Sequence, residues 1–506
     1  MATTDATPGT GTVPVVESVD TGPSGPATLG RREARVVWLL LAAAFVAILN
    51  ETTMGVAIPH LIVDLGITAV AAQWLTTAFM LTMAVVIPIT GFLLQRFTTR
   101  AMFVAAIGLF SAGTLLALVA PGFEVLIVAR VVQAMGTAIM MPLLMTTIMN
   151  VVPGHSRGRM MGRVSIVISI APAIGPTLSG FLLDTLSWRW IFGIVLPIAL
   201  VSLVIGARWI HNLGETTRAP IDVPSVVLSA LGFGGIVYGL SQIGGAESGG
   251  TGADAAAANA MAQVSLIVSL SIGGVALGLF VWRQLRLQRK DDALLDLRVF
   301  RSANFSLSIA QMAVMSFAFF GAITVLPLYL QSVHGLKALE AGLIVLPGSL
   351  AMGLAGPVIG RIYDRWGTRV LLVPGAIVTS ALLWVYTTLD ASTPVWFIAV
   401  AQTVLSIGLA LSFTPLFTAS LASLQPRFYS YGSAVLGTVQ QVAGAAGIAL
   451  LITVMSAASS GEGSGGLSAS GTQAAFLIAA IVSLPLIVGA FLIRKPEDAP
   501  HGAAIH

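Results

Sequence analysis

Glu51 and Arg130 each stand inside a long apolar run, where an ionisable side chain is costly unless it faces protein or a water-filled cavity. If hydrocarbon begins near Leu39, about twelve residues of helix carry Glu51 about 18 Å inward, slightly past the midplane. A span entering from the other side near Phe123 carries Arg130 about 10 Å inward, a comparable depth. The chemistry open to such a pair is proton exchange at the carboxyl, sensed by the guanidinium directly, through water or through Gln133 one turn on. The competing reading is structural: a neutral, hydrogen-bonded Glu51 and a polar bridge from Arg130. Asn50 adds a neighbouring amide. Ala47, Glu51 and Gly55 share a helix face on which close packing beside the acid is expected.

These residues need membrane helices to hold them, and the composition provides for that. Of 506 residues, 56% are apolar and only 9% charged, and the mean hydropathy is +0.93. Such a composition excludes a water-soluble enzyme. Apolar runs of spanning length fall at 36–59, 72–94, 101–120, 124–149, 164–184, 190–207, 223–243, 264–282, 304–330, 340–360, 370–388, 395–417, 433–456 and 474–493. The expected fold is therefore an all-α membrane protein with fourteen transmembrane helices. Zero Cys and six scattered His leave no metal centre and no cysteine chemistry. No Gly-Lys-Ser/Thr phosphate loop occurs, so neither ATP drive within the chain nor another cofactor is expected.

An even number of spans puts both termini on one side. Of the 25 Lys and Arg, 22 fall in segments on that side, only Arg189 and Lys337 fall opposite, and Arg130 lies within a span. The positive-inside rule then makes both termini cytoplasmic in a multi-pass protein of the plasma (inner) membrane. The basic balance, with a sequence pI near 9.7, follows from topology and implies no nucleic acid. The expected organisation is a disordered tail over 1–35, six helices over 36–207, a linker with two extra helices over 208–303, six helices over 304–494 and a tail over 495–506. The connections 244–263 and 457–472, rich in Gly, Ser and Ala, read as flexible loops.

An internal repeat supports the two sets of six. Pro88, Gly91, Arg96 and Arg100 recur 269 residues later as Pro357, Gly360, Arg365 and Arg369; Gln133 returns as Gln402 and Gly175 as Gly444. The segments Gly91 to Arg100 and Gly360 to Arg369 resemble the signature between spans two and three of the major facilitator superfamily. Trp74-Leu75-Thr76-Thr77-Ala78-Phe79-Met80-Leu81-Thr82, Trp188-Arg189-Trp190-Ile191-Phe192 and Leu326 to Gln331 with Glu340-Ala341-Gly342 are similar to its 14-span drug:proton antiporters. Leu49-Asn50-Glu51-Thr52 and Thr99 resemble the lincomycin-resistance-type exporters within them.

The resemblance implies roles for particular residues. The wider family has Asp where this chain has Asn50, with the acid here one position later at Glu51, a rotation of about 100° on a helix. Arg130 to Ala138 matches the span-four motif, with Ala134 in place of Gly, and implies coupling by Arg130 and Gln133. Ala171 to Gly180 resembles the antiporter motif, with Gly175, Pro176 and Gly180 retained. On the residues alone, Gly-Pro in a membrane helix reads equally as a packing kink. The signature loops imply a cytoplasmic gate at Gly91, Arg96, Arg100, Gly360, Asp364, Arg365 and Arg369, with Asp364 pairing the nearby arginines; Gln95 stands at its first-half equivalent. A solvated basic loop that only sets topology is the alternative.

The function expected is proton-coupled export of hydrophobic or amphiphilic drugs by alternating access, by a monomer whose partners are small amphiphilic substrates, protons and the lipid bilayer. The alternatives are a facilitator or importer of a physiological solute, an exporter of an endogenous metabolite, or a non-transporting membrane sensor. Met140, Met141 and Met145 read as core packing or as an adaptable apolar pocket.

Overall fold

The computed structural model describes residues 30–210, 212, 220, 222–243, 253–459 and 468–494. Among them, fourteen α-helices carry the chain: α1 (Arg31–Leu65), α2 (Ala69–Arg96), α3 (Thr99–Leu118), α4 (Phe123–Val151), α5 (Arg157–Thr185), α6 (Arg189–Trp209), α7 (Val223–Ile243), α8 (Ala253–Leu287), α9 (Ala303–Ser332), α10 (Ala338–Trp366), α11 (Arg369–Tyr386), α12 (Val395–Ala422), α13 (Tyr429–Ser459) and α14 (Ala469–Leu492). No strand occurs among the described residues. Every helix is long and apolar enough to cross a bilayer. Helices suit that medium because they satisfy their own backbone hydrogen bonds.

Two expected boundaries move. The tail drawn over 1–35 overlaps α1, which begins at Arg31; Glu33 Oε2 accepts the Gly30 N–H at 3.1 Å and so closes the first turn. Residues 1–29 and 495–506 lie outside the described residues. The loop read over 244–263 ends earlier, because α8 begins at Ala253. The Ala-rich stretch from Ala255 to Ala260 favours helix, which outweighs the Gly and Ser content of the connection before it.

Local signals explain several helix ends. Thr68, Thr98, Ser302 and Ser468 each cap the helix that follows by accepting an N–H from the first turn. Gly66 ends α1 at φ 62°, a backbone conformation that costs glycine no Cβ clash. Prolines lie inside ten of the helices, including Pro88 in α2 and both Pro347 and Pro357 in α10. Neighbouring helices and local adjustments absorb the missing N–H groups.

Helices α1 to α6 pack on one another, as do α9 to α14; the two groups meet along α5 with α10 and α2 with α13. Helices α7 and α8 pair with each other, and α7 rests on α2 and α13. That pairing depends on small residues: a Cβ on Gly235 would stand 3.0 Å from Gly273 Cα and from the Ser269 carbonyl oxygen. On α8, Val264, Ile267, Val275, Leu279 and Trp282 are exposed, as suits a lipid-facing helix.

Both seams have close contacts at the end where the chain's described segment begins and ends, which carries Arg96, Arg100, Arg365 and Arg369. At this basic end, Gly162 lies against the Gly356 carbonyl and Gly360 against the Gly158 carbonyl, with no room for a Cβ between α5 and α10. Gly91 of α2 would place a Cβ 3.1 Å from the Tyr431 ring and 3.2 Å from the Ser430 carbonyl of α13. Gln95 Nε2 donates to the Arg427 carbonyl at 2.6 Å.

Candidate functional site

Arg130 is 1% exposed and closely held. Its Nη1 donates to Gln133 Oε1 at 3.0 Å, its Nε reaches the Leu75 carbonyl at 3.4 Å, and its guanidinium lies 4.1 Å from the centre of the Phe79 ring. Gln133 Nε2 in turn donates to Thr114 Oγ1 at 2.9 Å, and Thr114 donates to the Phe110 carbonyl at 2.7 Å. Helices α2, α3 and α4 are thereby joined through one cation. Gly113 leaves the space for Gln133, since a Cβ there would come within 2.6 to 2.8 Å of the α4 backbone and the glutamine. A buried cation held by an aromatic face and neutral acceptors keeps its charge without an ion pair.

Glu51 is partly exposed and makes no hydrogen bond or ion pair among the described residues, yet it lies within electrostatic reach of Arg130. Of the direct and bridged contacts open to the pair, the direct one is not formed. Asn50 is 1% exposed, and neither its Oδ1 nor its Nδ2 has a protein partner. A free carboxyl near an anchored cation can gain or lose a proton and change the field at that cation.

The α5 segment singled out in the sequence packs against this part of α1. Gly175 meets Thr52 so closely that a Cβ would overlap Thr52 Oγ1. Ser179 Oγ donates to the Thr53 carbonyl at 2.9 Å, beside Glu51. Gly180 has open space around its Cα, so close packing does not explain it. The side chain of Pro176 lies outside the described residues.

One turn nearer the basic end, the same helix lines a cavity between the two helix groups. It holds about 750 Å³ of empty space, part of it open to solvent. Met161, Ser165, Ser169 and Pro172 form its α5 wall; Phe319, Met352, Gln402, Phe413, Thr414 and Gln440 come from α9, α10, α12 and α13. Ser165 and Thr414 are hydrogen bonded at 2.6 Å. Gln402 Oε1 accepts from Tyr386 Oη at 2.8 Å. No charged side chain lines the cavity. Aromatic rings, thioethers and neutral hydrogen-bonding groups suit an uncharged or amphiphilic molecule. Met145 is on the wall, whereas Met140 is buried in the core.

Sequence reasoning grouped Glu51, Arg130 and Gln133, and all three stand apart from this wall. It marked Gln402 only as a repeat of Gln133 and missed Gln440, Phe319 and Phe413. Those residues come from separate helices with no local motif, and the repeat at Gln402 was the one available signal.

The signature-loop residues divide. Asp364 accepts the N–H groups of Gly158 at 2.8 Å and Arg159 at 2.9 Å, capping the start of α5. The exposed backbone donors of a helix N-terminus attract a carboxylate, and Asp364 serves as such a cap across the seam. Arg365 is exposed and lies 5.2 Å from the Trp366 ring; Arg100 and Arg369 are exposed as well. Arg96 approaches the ring of Phe97 at 6.0 Å. Gly91 and Gly360 sit in the seams already described.

The Major Facilitator Superfamily matches residues 40–448, and the chain belongs to this family of membrane transporters. A transporter described as the uncharacterized MFS-type transporter YcnB of Bacillus subtilis is 39% identical, covering 91% of this chain and 95% of its own length. The lincomycin resistance protein LmrB of Listeria monocytogenes is also 39% identical, over 92% of this chain and 98% of its own. The crystal structure of the human organic anion transporter MFSD10 superposes with a TM-score of 0.60 at 13% identity, covering 90% of this chain and 99% of that one. That last likeness concerns the fold alone.

Proposed function

We propose that this transporter exports hydrophobic or amphiphilic drugs in exchange for protons. The observation that carries the reading is the position of α5: its middle lines an uncharged cavity, while Gly175 and Ser179 seat the next turns on α1 beside Glu51. A change in the charge of Glu51 would act on the α1–α5 contact and, along the same helix, on the cavity wall. The name of the Listeria relative, similar over nearly its whole length, supports drugs as the cargo.

In this reading the six-helix units 36–207 and 304–494 rock about the cavity. The arginine-rich end faces the cytoplasm of a plasma-membrane protein, and the conformation is closed on that side by the α5–α10 and α2–α13 seams. Protonation of Glu51 from outside exchanges with drug release, and Arg130, held by Gln133, responds to the lost charge. The units function as a monomer.

Everted vesicles acidified inside test this directly. Adding drug is expected to release protons from wild-type vesicles and not from Glu51→Gln vesicles at matched expression. Energy-independent solute uptake with no drug-driven proton release would instead establish the facilitator reading.

A further inference from the structure

At the basic end, the last turn of α8 and the linker to α9 border a recess of about 770 Å³, part of it open to solvent, lined by Leu285, Gln288, Arg289, Arg298 and Arg301. Three guanidinium groups and no carboxylate line it. Arg298 is engaged by Asp291 and Asp296 and fixes the linker. Arg289 and Arg301 are exposed and have no hydrogen bond, ion pair or ring contact among the described residues. Gln288 adds a buried carbonyl oxygen with no donor opposite it.

One lining residue, Leu285, also belongs to the exposed apolar face of α8. Trp282, Leu285 and Phe300 are exposed around it, and the apolar stripe of α8 runs away from it through Leu279 and Val275. Arg286 stacks on Trp282 with its guanidinium 3.9 Å from the ring centre, the pattern of an aromatic and a cation at a headgroup boundary. The linker is not a loose loop: Leu294 and Val299 are fully buried, the Leu295 N–H donates to Gln284 Oε1 at 3.2 Å, and Tyr431 Oη donates to the Ala293 carbonyl at 3.2 Å. A preformed cationic recess directly beneath an acyl-chain track selects a molecule with both parts.

We propose that this recess binds the headgroup phosphate of an anionic phospholipid. Arg289 and Arg301 grip the phosphate oxygens, the acyl chains lie along α8, and a hydroxyl-bearing headgroup such as phosphoglycerol donates to Gln288.

The full-length protein, purified in neutral detergent, is titrated with phosphatidylglycerol, phosphatidylcholine and inorganic phosphate, with bound lipid counted by native mass spectrometry. Wild type is expected to retain phosphatidylglycerol over phosphatidylcholine. The Arg289→Gln/Arg301→Gln variant is expected to lose about thirtyfold in phosphatidylglycerol affinity, with its thermal midpoint in phosphatidylcholine nanodiscs unchanged. The Arg289→Lys/Arg301→Lys variant should keep most of the binding. Equal lipid retention by wild type and the Gln variant would overturn the proposal, as would equal loss in the folded Lys variant. Inorganic phosphate that displaces the lipid at micromolar concentration would overturn it too, by making this a free-phosphate site.

Discussion

The carboxylate of Asp364, near the end of α10, accepts the N–H of Gly158 at the start of α5 at 2.8 Å, so one helix group caps a helix of the other. The acceptor and the donor belong to opposite sides of a seam that any rocking motion must open. In the rocking cycle proposed above, the bond holds in the closed conformation and breaks when the seam opens. Removing it with Asp364→Ala is expected to destabilise the closed basic end by about 1 kcal/mol, the usual worth of a helix cap. Accessibility labelling of a cysteine introduced at position 161, on the cavity wall, should rise from the basic end in this variant.

Close contact of Gly162 with the Gly356 carbonyl makes the same seam sensitive to volume. Gly162→Val should cost about 1–3 kcal/mol of closure or force the helices apart. Transport by this variant is expected to fall by between about fivefold and about 150-fold, the population ratios to which that range converts. Drug binding should be retained. Wild-type transport rates in Gly162→Val would refute a closed α5–α10 seam as part of the cycle.

Glu51→Gln keeps the shape of the side chain and removes its titration. Proton-driven export should fall by at least about a hundredfold, whereas exchange of drug across the membrane without a gradient should persist. Gln133→Leu should also impair coupling, since it takes from Arg130 its 3.0 Å acceptor and leaves Thr114 without its donor.

Outside the spans, Asp222 forms a two-oxygen ion pair with Arg283 at 2.6 and 2.7 Å, and also accepts from Ser225. The Arg283 hydrogen bond, with help from Ser225, holds the Asp222 carboxyl below its ordinary range. A lowered folded-state value stabilises the protein above the unfolded value, near pH 4, and the contribution is lost as pH falls through the folded value. Partial exposure limits the pair to about 1 kcal/mol. The melting temperature of Asp222→Asn is expected to lie below wild type at pH 7, with the gap closing as pH drops below about 4.

In the cavity, Gln402 is held by Tyr386 and presents a neutral amide to any occupant. Gln402→Leu should weaken export of hydroxyl-rich drugs by about tenfold through one lost hydrogen bond, worth about 1.5 kcal/mol when the partner stays buried. Purely apolar drugs should be exported as well as by wild type, measured as drug accumulation in cells expressing each form.

How much of this could be read in the sequence follows from the range of the forces involved. Hydropathy over about 20 residues suffices to define a membrane helix, so fourteen spans were legible one at a time, and the positions of Lys and Arg suggested a topology. The 269-residue repeat linked Gly91 with Gly360 and Gln133 with Gln402, and the rarity of ions in hydrocarbon drew attention to Glu51 and Arg130. Contacts between distant helices carried no such local signal. Only the tertiary structure decided that Asp364 caps α5, that Arg130 rests on Phe79 and Gln133 without bonding Glu51, and that Gln402, Gln440 and Phe319 share a wall. Each depends on which faces of long, uniformly apolar helices meet. A helix that is hydrophobic all round leaves its facing direction unspecified until its neighbours are in place.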